Sequence, residues 1–244
     1  MPAQSGPDNT DADVQGAPDQ EILARRVVIA GGHGKIARQL IKQLTARGDR
    51  AVALIRNPAQ ESEITAFGAM PVVVDLESAS IDDVAAILND ADAVVFAAGA
   101  GPGSGVARKD TVDRGASVLM AAAAEKAGVR RFVQISSFGA GEPVPEGTEE
   151  VFAAYLVAKT KAEEDLRART YLDWTIVRPG GLTDDDPTGF VTLSEPPLER
   201  GTVPRGDVAT VVELLLGAES SYGKTLMLTS GPTPAVDAVE AIGR

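Results

Sequence analysis

Short apolar runs alternate with longer stretches of helical periodicity from residue 25 onward, and this alternation restricts the fold more than any other feature of the sequence. Most of the runs are apolar at consecutive positions, which is typical of strands that helices cover on both faces. Parallel strands joined by helices form right-handed crossovers. The sequence therefore predicts an α/β fold with a doubly wound parallel sheet. The predicted strands are residues 26–30, 51–55, 71–74, 93–96, 131–135, 174–177 and 225–228, and the predicted helices are residues 35–47, 59–67, 81–88, 107–127, 149–169 and 207–216.

Two segments fall outside this alternation. Residues 1–24 contain three prolines and four aspartates and little that could be buried before Ile22. We expect them to form a mobile acidic tail, with a single domain over residues 25–244. The segment 182–204 is rich in proline and aspartate. We expect it to form a small C-terminal lobe or flap on the substrate side of the sheet rather than a second domain.

Charge and residue usage exclude several classes of function. The 35 acidic and 23 basic residues leave a formal net charge of −12, which repels a polyphosphate backbone, so no nucleic-acid partner is expected. The chain has no cysteine and one histidine, His33, which argues against disulfides, thiol catalysis and a metal site. No apolar run reaches the length of about 20 residues that spans a bilayer. We expect the protein to be cytoplasmic and to have no membrane partner. We expect its substrate to be a small molecule.

A glycine-rich sequence joins the first predicted strand to the first predicted helix. The pattern GxxGxxA is met there by three small residues, Gly31, Gly34 and Ala37. Small residues at these places allow a tight turn, close approach of backbone amides to a pyrophosphate, and close helix packing. The pattern predicts a Rossmann-like dinucleotide site, and the alternative is a tight turn without a ligand. His33, Lys35 and Ile36 belong to this candidate site, where Lys35 either reaches the phosphates or is solvated and His33 shapes the loop.

Two other loop motifs are excluded by single positions. A phosphate-binding loop of the type GxxxxGK followed by Ser or Thr would need glycine at Ile29 and a hydroxyl at Ile36. A nucleophile elbow around Ser104 would need glycine at Pro102 and Val106. Neither a phosphate-binding loop nor a nucleophile elbow is therefore an alternative to the dinucleotide site.

The end of the second predicted strand indicates which dinucleotide is bound. Arg56 stands where a carboxylate would accept hydrogen bonds from the two ribose hydroxyls of NAD. A guanidinium matches a 2′-phosphate, so we expect NADP(H), with NAD(H) as the weaker candidate. Asp75 and Leu76 follow the third strand, where the adenine would lie. Asp75 either accepts a hydrogen bond from the adenine amino group or caps a turn.

Tyr155 and Lys159 are the candidate proton-transfer pair. They are four residues apart in a predicted helix, so their side chains leave the same face. An ammonium beside a phenol stabilises the phenolate, which makes the phenol a usable proton donor or acceptor near neutral pH. Lys159 can also reach the nicotinamide ribose. Ser137, at the end of the fifth predicted strand, adds a hydroxyl that can polarise a substrate carbonyl.

With these motifs the sequence resembles the atypical, NAD(P)-binding branch of the short-chain dehydrogenase/reductase superfamily, close to its extended epimerase/dehydratase-like members. The resemblance runs over about residues 26–231 and includes the strings AGVRRFVQISS and TIVRPGGL. It implies that Ser137 is the active-site serine and that Asp113 occupies the place of the catalytic asparagine, where the atypical branch also carries Asp. It implies that Pro179 and Gly180 lie against the nicotinamide. A further segment that would line the cofactor consists of Ala97, Ala98 and Gly99.

Three functions remain open from the sequence. The first is an NADP(H)-dependent oxidoreductase or epimerase-like enzyme that acts on a small carbonyl, sugar or quinone-like substrate, with Tyr155 as proton carrier. The second is a non-catalytic sensor that binds NADPH and reports redox state to a partner. The third is reduction of a quinone or flavin in which Tyr155 contacts only the ribose. The expected oligomeric state is a monomer or a homodimer.

Overall fold

The computed structural model describes residues 24–101 and 103–243. The acidic tail predicted for residues 1–24 lies outside this part of the chain apart from its last residue, so the division into tail and domain stays a prediction. The strands of the described chain are β1 (Arg26–Ala30), β2 (Arg50–Ile55), β3 (Met70–Val73), β4 (Ala93–Phe96), β5 (Arg131–Ile135), β6 (Asp173–Pro179), β7 (Gly181–Thr183), β8 (Phe190–Ser194), β9 (Thr202–Pro204), β10 (Lys224–Ser230) and β11 (Thr233–Pro234). Its α-helices are α1 (Lys35–Ala46), α2 (Glu61–Ala66), α3 (Ile81–Ile87), α4 (Val106–Arg108), α5 (Ser117–Ala127), α6 (Glu150–Arg167), α7 (Arg205–Leu215) and α8 (Ala235–Glu240).

The main sheet has the order β11-β8-β10-β6-β5-β4-β1-β2-β3. Strands β1 to β6 and β10 are parallel to one another. From β1 the chain winds outward through β2 to β3, and it then crosses to β4 on the other side of β1. In such a sheet a crevice opens beyond the carboxyl ends of the strands, at the point where the strand order reverses. The predicted doubly wound α/β fold is confirmed, and the crevice lies between β1 and β4.

Two apolar layers cover the sheet, and β1 contributes to both. Val27 and Ile29 pack in the layer beneath α1 and α7, whereas Val28 and Ala30 pack in the layer beneath α3 and α5. All four side chains are fully buried. The consecutive apolar positions of the sequence therefore reflect burial on both faces, as expected of a central parallel strand.

Two of the predicted helices are interrupted. The helix predicted over residues 107–127 consists of α4 and α5 with the π-helical segment Lys109–Ala116 between them. This segment is rich in aspartate, threonine and glycine, which are poor α-helix formers, and a 3.6-residue pattern does not reveal such a local widening. The helix predicted over residues 59–67 is a 3₁₀ turn, Pro58–Gln60, followed by the short α2.

The proline- and aspartate-rich segment 182–204 contains more regular structure than its sequence indicates. Strands β7 and β9 pair as a separate two-stranded parallel sheet, which is the small lobe. Strand β8 instead joins the main sheet, antiparallel to β10. Its sequence, FVTLS, mixes apolar residues with Thr192 and Ser194 and has prolines nearby on both sides, so it carries little of the signal that marked the parallel strands. β11 and α8 were also missed.

Candidate active site

Three cavities adjoin one another along the carboxyl ends of the parallel strands. The tyrosine cavity has a volume of about 480 Å³ and contains Tyr155 and Lys159. The glycine-loop cavity has a volume of about 490 Å³ and contains Gly34 and Arg56. A third, the aspartate cavity, has a volume of about 180 Å³ and contains Asp75. All three are lined in part by two residues of the loop after β4, Ala98 and Gly99.

The glycine loop leaves the amino-terminal end of α1 open to an anion. Gly31 adopts φ +77°, and a Cβ at this position would lie 2.6 Å from the Cα of Ala98, so only glycine fits. Gly34 is the N-cap of α1, which has no side-chain cap and no acidic residue in its first turn. Free amides and the positive end of the helix dipole therefore face the cavity. This end of the helix fits the pyrophosphate of a dinucleotide.

The other polar residues of the glycine loop are engaged with protein groups. The Nζ of Lys35 lies 2.5 Å from a carboxylate oxygen of Asp184, outside the three cavities. His33 lines the glycine-loop cavity, with its Nε2 2.8 Å from Glu63 and its Nδ1 3.1 Å from Gln60. These contacts agree with a role for His33 in shaping the loop. The contact between Lys35 and the phosphates stays a prediction. It requires the Lys35 side chain to give up its hydrogen bond to Asp184.

Arg56 shares a carboxylate with two other residues at the adenosine end. Its Nη1 lies 3.1 Å from Glu77, which also accepts shorter hydrogen bonds from Arg108 at 2.7 Å and Thr111 at 2.6 Å. The Arg108 guanidinium, and next the Thr111 hydroxyl, hold the pKa of the Glu77 carboxyl below its ordinary value. Asp75 accepts from the backbone amide of Glu77 at 3.1 Å, so it caps a turn while it lines the aspartate cavity together with Leu76. Glu77 was not among the predicted site residues.

The structure brings Tyr155, Lys159 and Asp113 together in the tyrosine cavity. The Nζ of Lys159 lies 5.8 Å from the centroid of the Tyr155 ring and 3.6 Å from Oδ1 of Asp113. It also donates to the carbonyl of Ile135 at 3.1 Å. The other oxygen of Asp113 accepts from the amide of Ala100 at 3.2 Å. Because Lys159 and Asp113 are both almost completely buried, each offsets the charge of the other.

The end of β5 presents a serine to this cavity, but it is Ser136 rather than Ser137. Ser136 lines the cavity and donates to Oε1 of Glu163 at 2.5 Å. Ser137 donates to the carbonyl of Phe138 at 3.2 Å and is not part of the cavity wall. Pro179 and Gly180 likewise lie outside the walls of the three cavities. The roles assigned to Ser137, Pro179 and Gly180 therefore stay predictions.

A buried ion pair behind the cavity ties α6 to the sheet. Glu163 on α6 is fully buried and accepts two hydrogen bonds from Arg178 on β6, at 2.9 and 2.6 Å. It also accepts from Ser136, the residue that follows β5, and from Arg167 on its own helix. Since α6 carries Tyr155, this network fixes the position of the candidate proton donor against β5 and β6. This network was not predicted from the sequence.

Replacing Glu163 with glutamine should destabilise the fold. Glu163→Gln would leave the almost completely buried guanidinium of Arg178 without a charge partner, and we expect a loss of about 3 kcal/mol in the free energy of unfolding. Urea unfolding of the variant and the wild type measures the loss. Glu164→Gln, at the exposed neighbouring position, is the control with the same chemical change. Equal stability of the Glu163 and Glu164 variants would show that the buried pair does not anchor α6.

Comparisons with known proteins agree with this geometry. Residues 31–218 match a family model described as NAD(P)H-binding. The chain is 33% identical over 218 residues to an uncharacterized sugar epimerase of Bacillus subtilis, YhfK, and the match covers 89% of this chain and 100% of that one. The solved structure of a candidate NAD-dependent epimerase/dehydratase from Bacillus halodurans is similar with 36% identity and a TM-score of 0.81, over 89% of this chain and 99% of the other. An oxidoreductase of Lactococcus lactis, ylbE, matches with 27% identity and a TM-score of 0.77, over 89% of this chain and 96% of the other.

The matched region contains the motifs and the cavities. It includes the glycine loop, the crevice at the reversal of strand order and the helix that carries Tyr155 and Lys159. Within the described residues, no helix is both long enough and apolar enough to cross a bilayer. The chain belongs to the NAD(P)H-binding family of atypical short-chain dehydrogenases/reductases, among oxidoreductase and epimerase-like proteins.

Proposed function

We propose that the protein is an NADP(H)-dependent oxidoreductase or epimerase-like enzyme that acts on a small carbonyl, sugar or quinone-like substrate. The observation that carries the proposal is the meeting of Tyr155, Lys159 and Asp113 in a cavity that adjoins the open end of α1. The nicotinamide, when bound, supplies a hydride from its C4 to the carbonyl carbon of the substrate. Tyr155 donates a proton to the carbonyl oxygen, so that an alcohol and the oxidised cofactor result.

Lys159 has two functions in this scheme. Its ammonium stabilises the phenolate that Tyr155 becomes after it donates its proton, and it offers hydrogen bonds to the nicotinamide ribose. Oδ1 of Asp113, 3.6 Å from the Nζ of Lys159, compensates the charge of the ammonium group. The hydrogen bond from Lys159 to the carbonyl of Ile135 fixes the direction of that group. We therefore expect Lys159→Met to weaken cofactor binding and turnover together.

The preference for NADP(H) is supported by the lining of the glycine-loop cavity. Arg56, the residue that follows β2, places a guanidinium in the wall of this cavity. No carboxylate of the described residues lines the cavity. The Arg56 side chain is 56% exposed, and its contact with Glu77 is the longest of the three that Glu77 accepts. Arg108 and Thr111 can keep Glu77 in place while Arg56 turns toward a 2′-phosphate.

Removal of the Arg56 side chain tests this preference. We expect Arg56→Ala to weaken the binding of NADPH by about tenfold to a hundredfold, because a charge-assisted bidentate contact is lost, and to change NADH affinity little. Calorimetric titration with both nucleotides measures the two dissociation constants. The control is Arg50→Ala, which removes an exposed arginine from the opposite end of β2. Equal affinity of the wild type for NADPH and NADH, or unchanged NADPH binding by Arg56→Ala, would contradict the assignment.

A further inference from the structure

A second lysine approaches Tyr155 from another side of the tyrosine cavity. Lys109 is the first residue of the π-helical segment and lines the cavity. Its Nζ lies 5.5 Å from the centroid of the Tyr155 ring, which is as close as the Nζ of Lys159 at 5.8 Å. It donates one hydrogen bond, to the carbonyl of Gly101 at 3.1 Å. Because an ammonium has three donors, two remain for a ligand.

The two lysines differ in how their charges are compensated. Lys159 has Asp113 at 3.6 Å, whereas no carboxylate oxygen of residues 24–101 and 103–243 lies within 4 Å of the Nζ of Lys109. Glu149 lines the same cavity, but its two oxygens accept from the amides of Val151 and Phe152 at the start of α6. Among the described residues, Lys109 is therefore a cation of the cavity wall that no carboxylate contacts directly.

The rest of the cavity is suited to an apolar molecular body. Much of its wall consists of aliphatic and aromatic side chains, including Ile36, Ile135, Val151, Phe152 and Leu182. Phe152 stacks on Tyr155 with a centroid distance of 5.9 Å, so a flat aromatic surface borders the candidate proton donor. A volume of about 480 Å³ is within the usual range for a small-molecule site. An apolar wall with one cation that no described carboxylate contacts fits an apolar molecule that carries an anionic group.

We propose that Lys109 is a specificity-determining residue that binds a carboxylate of the substrate, so that the substrates of this enzyme are carbonyl compounds bearing a carboxylate. The inference rests on the proposed function, because it takes Tyr155 as the proton donor for the carbonyl. The position of Lys109 beside the same ring places the carboxylate close to the reacting group. The contact is charge-assisted and anchors the substrate while the apolar wall holds its body.

A pair of aldehydes tests the inference, one with an ionised carboxylate and the other with that carboxylate masked as its methyl ester. 4-Carboxybenzaldehyde and its methyl ester have the same ring and the same carbonyl group, and each is reduced to the benzyl alcohol by one hydride from NADPH and one proton. We expect the wild type to prefer the acid in kcat/KM, and we expect Lys109→Met to lower the acid-to-ester ratio by about tenfold. Lys161→Met, an exposed lysine on α6 outside the cavity, is the control and should leave the ratio at its wild-type value. The absorbance of NADPH reports all rates.

Two results would overturn the inference. If Lys109→Met lowers kcat/KM for the acid and the ester in parallel, Lys109 does not recognise the carboxylate. If Lys109→Met weakens NADPH binding and leaves the acid-to-ester ratio unchanged, its charge serves the cofactor instead of the substrate.

A binding measurement separates this inference from the proposed function. Titration of 4-(hydroxymethyl)benzoate into the protein with NADP⁺ detects carboxylate binding without turnover. Binding that Lys109→Met weakens by about tenfold, in a wild type that reduces neither these aldehydes nor a panel of other aldehydes, ketones, nucleotide sugars and quinones, would overturn the proposed reduction but uphold the carboxylate site. Binding of equal strength to the wild type and Lys109→Met would overturn the inference whatever the activity.

Discussion

We expect Tyr155→Phe to lower the turnover of a carbonyl substrate by about 10²- to 10⁴-fold, which is the usual contribution of a positioned proton donor. The affinity for NADPH should change little, because the open end of α1 and Arg56 provide most of the expected cofactor contacts. Phenylalanine keeps the ring that stacks on Phe152 and lies beside Lys109 and Lys159, so the variant removes only the hydroxyl. NADPH oxidation across a panel of aldehydes, ketones, nucleotide sugars and quinones provides the measurement.

The outcome of this experiment distinguishes the three functions that the sequence left open. Tyr171→Phe is the control, since Tyr171 is exposed and its hydroxyl lies 3.3 Å from the carbonyl of Gly128, away from the cavities. A wild type without turnover on the whole panel would favour the NADPH sensor. A fully active Tyr155→Phe would refute the proton-donor assignment and favour quinone or flavin reduction in which Tyr155 contacts only the ribose.

The parts of the molecule that follow from local patterns could be predicted from the sequence. The parallel strands were recognisable because burial on both faces makes consecutive residues apolar, as in β1. The closeness of Tyr155 and Lys159 followed from their spacing on one helix. The open helix end at Gly34 followed from the pattern of small residues after a strand. Each of these features depends on residues that are neighbours in the chain.

Features that depend on tertiary packing were not predictable. Glu163 meets Ser136 and Arg178 across 27 and 15 positions of sequence, and only the packing of α6 on β5 and β6 brings them together. Glu77 meets Arg56 and Arg108 in the same way, across loops that carry no periodic signal. A charged residue in the sequence gives no indication that it will be buried in an ion pair.

The serine at the end of β5 shows a different difficulty. Both serines follow the last residue of β5, so the regular alternation of side chains along a strand does not fix where either of them points. The sequence offers Ser136 and Ser137 side by side, and the resemblance to the family selected Ser137. The structure places Ser136 at the cavity with its hydroxyl on Glu163. A motif aligned by sequence alone does not determine which of two neighbouring serines lines the cavity, and the role assigned to Ser137 stays a prediction.

Gly34→Val should abolish nucleotide binding and leave the protein folded. Gly34 is exposed at the N-cap of α1 with φ −62° and ψ 151°, a conformation that valine adopts readily. A Cβ there would meet the carbonyl oxygen of Gly31 at 3.1 Å, and the rest of the side chain would occupy the space of the pyrophosphate. We expect dissociation constants for NADPH and NADH to rise about a hundredfold or more, since several hydrogen bonds to a charged group are lost. The free energy of unfolding should fall by only about 1 kcal/mol.

Two further glycine variants make this result specific to the ligand. Gly217→Val lies beside Arg25, near the start of β1 and outside the three cavities, where a Cβ has only an ordinary contact at 3.7 Å. It should bind NADPH as the wild type does. Gly31→Val combines a positive φ with a 2.6 Å approach to Ala98, so it should lose the fold and the binding together. Fluorescence titration and circular dichroism separate the two losses, and if Gly34→Val also unfolds, the loop is a structural turn rather than a phosphate site.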